Sequence, residues 1–287
     1  RSDGPVDTGI PILRFESVEG STIAILVSYA CHPVVLSADN LSWTGDYPHF
    51  VRKKLETKFP GAIAIFATGC AGDVNTGHSA AASLSLSSSP KRSFARAKEI
   101  GFGIAKSVIE AELIDVSGNV GHSEVFGDIC FEQREHGSPD ILAKSWRLAA
   151  KDTGSIEEIW ANWAERHMGR DLNPLRTRIT ALKWGRVGII ALPGEIFAET
   201  ALQIREKLAQ KDLLFVLAYA DDNPGYIPPE SDYLRGGYEI EEAHRFYGLG
   251  ATIAPKTAEY LATAGCRSVE MAGILATQTR STKTFLS

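Results

Sequence analysis

The stretch AIAIFATGCAGDVN, residues 62–75, decides the fold. Its first six residues form a short continuous apolar run behind Pro60-Gly61, which reads as a buried strand. The run empties into Thr68-Gly69-Cys70-Ala71-Gly72-Asp73, a turn with two glycines. Upstream, Tyr47, Phe50, Val51 and Leu55 share one side of a helical pattern over 46–59, which Pro60-Gly61 stops. An amphipathic helix leading into a buried strand points to an α/β architecture.

The same alternation extends outward in both directions. Residues 10–15 and 23–29 are apolar, β-rich runs separated by a Val-Glu-Gly-Ser turn, and the second runs directly into Cys31-His32-Pro33. Downstream, 79–92 is a Ser-, Ala- and Pro-rich loop, 94–113 a helix, and 121–132 a long strand. Residues 139–168 are helical, with Trp146, Trp160 and Trp163 as packing anchors. A hairpin turned at Gly185 joins strands at 176–184 and 187–192, a helix covers 195–208, and a strand covers 213–220. Residues 221–238 are a Pro-, Gly- and Tyr-rich loop, and 277–287 a loose polar tail. The expected fold is one α/β domain over 1–287, with a central mixed sheet flanked by helices.

Composition narrows the function classes. With 44% hydrophobic and 23% charged residues among 287, the chain is neither disordered nor a coiled coil. Thirty Lys and Arg stand against 35 Asp and Glu, with no basic cluster, which excludes the usual nucleic-acid surface. Cys31, Cys70, Cys130 and Cys266 are scattered without a Cys-x-x-Cys pair, so neither a zinc knuckle nor a disulfide framework is expected. No apolar run approaches the length of a membrane span, and RSDGPVDTG has no signal-peptide core. The compartment stays open, with the cytoplasm slightly favoured.

Open α/β folds place ligands in crevices at strand ends, and four strand exits here carry unusual polar residues. His32 is suited to be a metal ligand, a general base or a hydrogen-bonded structural residue. The turn from Gly69 to Asn75 exposes backbone N–H groups, which fits an oxyanion site or an ordinary turn. Glu195, after Leu192-Pro193-Gly194, belongs either to a helix's first turn or to a cation. Tyr226, Tyr233 and Tyr238 lie on a proline-stiffened loop that plugs a core edge or shapes a pocket. Together these suit metal-assisted hydrolysis, although a zinc site needs three or four ligands and the set is partial.

Taken in order, GPVD near the start, YACHPVVL, GDYP, AGDVN, LPGE and GYIPPESDY running on to Tyr238 resemble the neutral/alkaline ceramidase family, from Gly4 to about Tyr247. The resemblance implies a zinc ion held by two His, one Glu and one Tyr, and hydrolysis of the amide of an N-acylated lipid. It makes His32 the second metal histidine, Glu195 the metal carboxylate, Tyr226 the metal phenol and Tyr238 a tyrosine at the reaction centre. Asp73 and Asn75 fall in the catalytic turn.

Two departures shape the expectation. The family's first metal His lies in an upstream Thr-His-x-His segment with no counterpart before YACHP, so the chain is expected to start partway into the domain, with an upstream fragment completing it. The family's catalytic serine is replaced by Asn75, whose amide is no oxygen nucleophile but can donate to an oxyanion. The expected function is therefore a zinc-dependent amidohydrolase using metal-activated water on a small-molecule or lipid-like linear amide other than ceramide. Two alternatives stand beside it. One is a catalytically degenerate, metal-binding or scaffold member of the family. The other is a cysteine hydrolase using Cys31 or Cys70, which the opposed directions of Cys31 and His32 on a strand argue against.

Overall fold

Side-chain alternation along the strands sorts the molecule into layers. In the computed structural model, which describes residues 4–79, 82–83, 89–208 and 213–281, the first sheet has the order β1 (Ile12–Glu16), β2 (Thr22–Tyr29), β3 (Ile63–Thr68). β1 is antiparallel to β2, and β2 is parallel to β3, with Tyr29 opposite Thr68 at the shared end. Successive side chains point to opposite faces. Ile25 and Val27 therefore pack outward with Tyr47, Val51 and Leu55 of helix α1 (Asp46–Lys58) and Ala97 and Ile104 of α2 (Phe94–Glu110). Leu26, between them, faces inward with Leu13.

The second sheet has the order β4 (Val120–Ile129), β6 (Leu175–Trp184), β7 (Val187–Ala191), β9 (Leu213–Leu217), antiparallel except for the parallel β7–β9 pair. Ile190, Leu214 and Val216 turn outward against Ile204 of α5 (Ala198–Leu208) and Leu261 and Val269 of α9 (Thr257–Ser281). Their neighbours Val187, Ile189, Phe215 and Leu217 turn inward onto Leu13 and Leu26. The result is helix, sheet, sheet, helix. The α/β class and the flanking helices are as expected, with the main strands divided between a three-stranded and a four-stranded mixed sheet.

The sheets meet at their ends. Gly69, just past β3, forms an antiparallel bridge with Leu217, and Ala218 N–H donates to the Thr68 carbonyl at 3.2 Å. The C-terminal ends of β2, β3, β7 and β9 thus open onto one place.

Several elements differ from the sequence reading. The helical pattern of 139–168 is two helices, α3 (Pro139–Ala149) and α4 (Ile156–Arg166). The first helix ends at Ala150, where ψ is 127°, Gly154 at φ 84° turns the chain, and the Ser155 side chain accepts from Glu158 N–H to start a new helix. The tryptophans do anchor this hairpin, with Trp146 5.8 Å from Trp160 and 6.4 Å from Trp163 between ring centres. Arg245 lies over all three rings. The 195–208 helix begins only at Ala198, because Glu195–Ile196 is a short strand, β8, paired in parallel with β10 (Tyr226–Ile227). Helix α9 occupies residues to which no element was assigned, and it runs to Ser281, into the expected tail. It lies so close to β4 that a Cβ on Gly121 would fall 1.8 Å from the Ala272 carbonyl oxygen. Of the expected 79–92 loop, residues 80, 81 and 84–88 lie outside the described residues, as do 282–287 of the tail.

Candidate active site

Each strand exit delivers one part of a buried polar cluster. Past β2, the His32 backbone N–H donates to the Val74 carbonyl at 2.9 Å, which fastens it to the glycine turn. That turn lies against β8, where Gly72 N–H donates to the Ile196 carbonyl at 2.8 Å. Only glycine allows this approach, since a Cβ there would sit 2.6 Å from the Glu195 carbonyl oxygen and 2.7 Å from the Phe197 ring. Past β7, Glu195 N–H donates to the Gly225 carbonyl at 2.8 Å, and parallel pairing puts Tyr226 opposite Glu195.

His32 and Glu195 are both buried, with His32 Nε2 3.7 Å from Glu195 Oε2 and 3.4 Å from the Gly72 carbonyl oxygen. The Tyr226 ring meets the His32 ring edge-on at 6.1 Å, and Tyr238, at the start of helix α7 (Tyr238–Glu241), meets Tyr226 at 5.9 Å. The structure thus brings His32, Glu195, Tyr226 and Tyr238 together, with the turn from Gly69 to Asn75 along their edge. Tyr233 stands apart, its hydroxyl donating to the Ile253 carbonyl at 2.6 Å as a core plug.

Two further tyrosines complete the cluster, and neither was singled out from the sequence. The Tyr219 hydroxyl donates to Glu195 Oε2 at 3.0 Å and contacts His32 Nδ1 at 3.1 Å, while the Tyr247 hydroxyl donates to Glu195 Oε1. Tyr219 holds φ 57°, a left-handed conformation uncommon outside glycine and concentrated at functional sites. An aromatic residue at the exit of an apolar strand was the only sequence signal for it.

This network fixes a tautomer. A hydroxyl has one proton, and the ionised Glu195 carboxylate only accepts, so the Tyr219 oxygen receives its second bond from His32 Nδ1–H. In the neutral imidazole, Nε2 then carries the lone pair and faces two oxygen acceptors, Glu195 Oε2 and the Gly72 carbonyl. A cation bound between them relieves that arrangement.

Burial and the nearby Glu195 charge raise the pKa of Tyr219 and Tyr226, and of Tyr247, while Tyr238 is pushed up to about 12 by burial and then Glu195. These phenols are therefore protonated donors near neutral pH. Burial and then Asp46 push the Cys31 thiol up to about 12, and burial raises Cys70 as well. Neither supplies the thiolate that a cysteine hydrolase requires.

Asp73 and Asn75 occupy different places in the turn. The Asp73 carboxylate accepts from Ala198 N–H at 2.8 Å and caps α5, next to β8. Asn75 is half-buried, one residue past the carbonyl that holds His32. Among the described residues, no group of three or more His, Cys, Asp and Glu side chains is arranged to hold a metal. The Tyr219 and Tyr247 hydroxyls meet Glu195, and the Tyr226 ring lies beside His32.

Fold and site define a two-sheet α/β protein with a buried His-Glu-Tyr cluster at its strand exits. The chain shares its fold with the neutral ceramidase of Pseudomonas aeruginosa, at a TM-score of 0.64 and 16% identity over 94% of this chain and 47% of that one. It is likewise similar to a ceramidase complexed with C2, at a TM-score of 0.64 and 15% identity over 96% of this chain and 48% of the other. The chain spans about half the length of each. It matches no protein-family model and no curated protein sequence.

Proposed function

We propose that the chain is the catalytic domain of a zinc-dependent hydrolase that cleaves a linear amide, ceramidase-like in its chemistry, with a substrate other than ceramide. The observation that carries this reading is the convergence of His32, Glu195 and Tyr226 from three strand exits. Ligand atoms about 2.1 Å from a tetrahedral ion stand roughly 3.4 Å apart, and His32 Nε2 and Glu195 Oε2 are 3.7 Å apart. The lone pair of Nε2 faces the carboxylate, so the donor set suits a small divalent cation. Three protein donors are enough for a catalytic zinc site, which keeps its fourth position for water or substrate.

Bound zinc supplies Lewis acidity, polarising an amide carbonyl and making water a stronger acid. The chain's own residues do the rest. Tyr219 orients His32 and, with Tyr247, holds Glu195. Tyr238, protonated up to about pH 12, donates to the substrate carbonyl or the departing amine. The Asn75 amide donates to the developing oxyanion, and Asp73 positions the turn by tying it to α5.

The test is metal content and turnover on a panel of N-acyl amides, for the wild type and for Glu195→Ala. Stoichiometric zinc that Glu195→Ala loses, with amide cleavage in the wild type alone, is expected. Absence of zinc binding would overturn the reading, and zinc binding without cleavage of any amide would identify the degenerate, metal-holding alternative.

A further inference from the structure

A cavity of about 830 Å³ lies just beyond the glycine turn. One wall is Thr76, Gly77 and His78, which continue the glycine turn past Asn75, and the other is formed by residues around the start of α2. Arg92 joins this cavity to the segment that follows His32. Its guanidinium donates to the carbonyls of Val34 at 3.3 Å, Val35 at 3.4 Å and Leu36 at 2.8 Å, and to that of Ala82.

The cavity is cationic and incompletely paired. Lys91, Arg92 and Arg96 line it against one carboxylate, Glu99, which Arg96 already engages at 2.8 Å. Every hydrogen bond of Arg92 goes to a neutral carbonyl, and among the described residues no carboxylate neutralises it. Among the described residues, these four bonds leave one of its five N–H groups without a partner. Two polar atoms in the wall, Thr76 Oγ1 and His78 Nε2, are shielded from solvent and have no hydrogen-bond partner among the described residues. Shielded polar atoms normally have partners, and both of these belong to residues that line the cationic cavity.

We infer that this cavity binds an anionic group of the substrate, a carboxylate, sulfonate or phosphate attached to the amide cleaved next to it. The inference rests on the hydrolase reading for the amide and on the cavity alone for the anion. A neutral ceramide-like headgroup would leave the charge unmatched, so the substrate class is an N-acyl compound with an acidic group on either its amine or its acyl side.

Two measurements on the full chain separate the two readings. The first is calorimetric titration with inorganic sulfate at low ionic strength, for the wild type, Lys91→Gln and Arg92→Gln. Saturable binding is expected, weakened about tenfold by each substitution, as the loss of one charge-assisted contact implies. Lys91 is exposed and guards against misfolding of Arg92→Gln. The second compares kcat/KM for matched amides: N-acyl taurine against N-acyl ethanolamine for an anion on the amine side, and a succinyl against a butyryl amide for the acyl side. One pair should favour the anionic member, and Lys91→Gln should reduce that preference without changing turnover of the neutral member. Sulfate binding without amide cleavage would keep the anion site and defeat the hydrolase reading. Absence of saturable sulfate binding, or binding that neither substitution weakens, would overturn the anion site even if neutral amides are cleaved.

Discussion

Replacing Tyr219 by Phe removes one oxygen and keeps the ring and the φ 57° backbone. What disappears is the link between His32 Nδ1, at 3.1 Å, and Glu195 Oε2, at 3.0 Å. A hydrogen bond to a charged group contributes about 1.5–3 kcal/mol. Outer partners of metal ligands change metal affinity by roughly 10–100-fold, which is about 1.4–2.8 kcal/mol, so the two estimates agree. On the zinc reading, Tyr219→Phe should therefore weaken zinc binding by about one to two orders of magnitude, as measured by competition with a chromophoric chelator at neutral pH. Imidazole nitrogen NMR of the metal-free protein gives an independent readout. His32 should hold its proton on Nδ1 in the wild type and distribute it over both nitrogens in the variant. Unchanged zinc affinity together with an unchanged tautomer would refute the claim that Tyr219 orients the site.

Glu135 holds His244 at 2.8 Å and Arg245 at 3.5 Å in a buried group between the tryptophan hairpin and the segment that carries Tyr247. Breaking it with Glu135→Gln should cost about 3 kcal/mol in urea denaturation. Burial pushes the Glu135 pKa up, but the hydrogen bond from His244 and the charges of His244 and Arg245 outweigh this and hold it below its usual 4.5. Its contribution is thus complete above pH 4.5 and fades as pH falls through the lowered folded value. The variant should lack that acid-side loss, and parallel stability–pH curves would contradict the assignment. Gly72→Ala should destabilise the fold by about 1–3 kcal/mol and impair the site, because its Cβ meets backbone of β8; an unchanged melting temperature would show that the turn can yield. On the zinc-hydrolase reading, Asn75→Ala should lower turnover by about a hundredfold with zinc retained, and unchanged turnover would leave Asn75 a turn residue only.

The sequence shows the parts of this site whose signals are local. Cys31-His32-Pro33, the glycine turn and Leu192-Pro193-Gly194-Glu195 each interrupt an apolar strand, and an interruption is visible without any knowledge of what lies opposite. Family resemblance then singled out Tyr226 and Tyr238. Tyr219 and Tyr247 stayed hidden because their roles depend on Glu195, 24 and 52 residues away, and no periodicity encodes such a contact. Glu195 itself reads as the start of a helix until Tyr226 is known to pair beside it. Gly154-Ser155 is a legible helix break, masked by the even spacing of the tryptophans. Helix α9 carries little apolar periodicity in the sequence because small residues such as Ser268, Ala272 and Ala276 meet β4, where close approach matters more than bulk.

The end-to-end meeting of the two sheets at Gly69 and Leu217 governs when the site comes into being as the chain folds. Each sheet packs one face into its own helix-covered core, yet His32 follows a strand of the first sheet, Tyr219 follows one of the second, and Glu195 and Tyr226 sit on the short β8–β10 pair. The bond between His32 and Tyr219 closes a span of 187 residues, and contacts so distant in sequence carry a large share of the loop-closure cost. The cluster is therefore among the last features to assemble and among the first to separate. In native-state hydrogen exchange, amides of β2 and β7 should stay protected through openings that already expose the Gly72–Ile196 bond. Activity would then fade on mild denaturation well before secondary structure does.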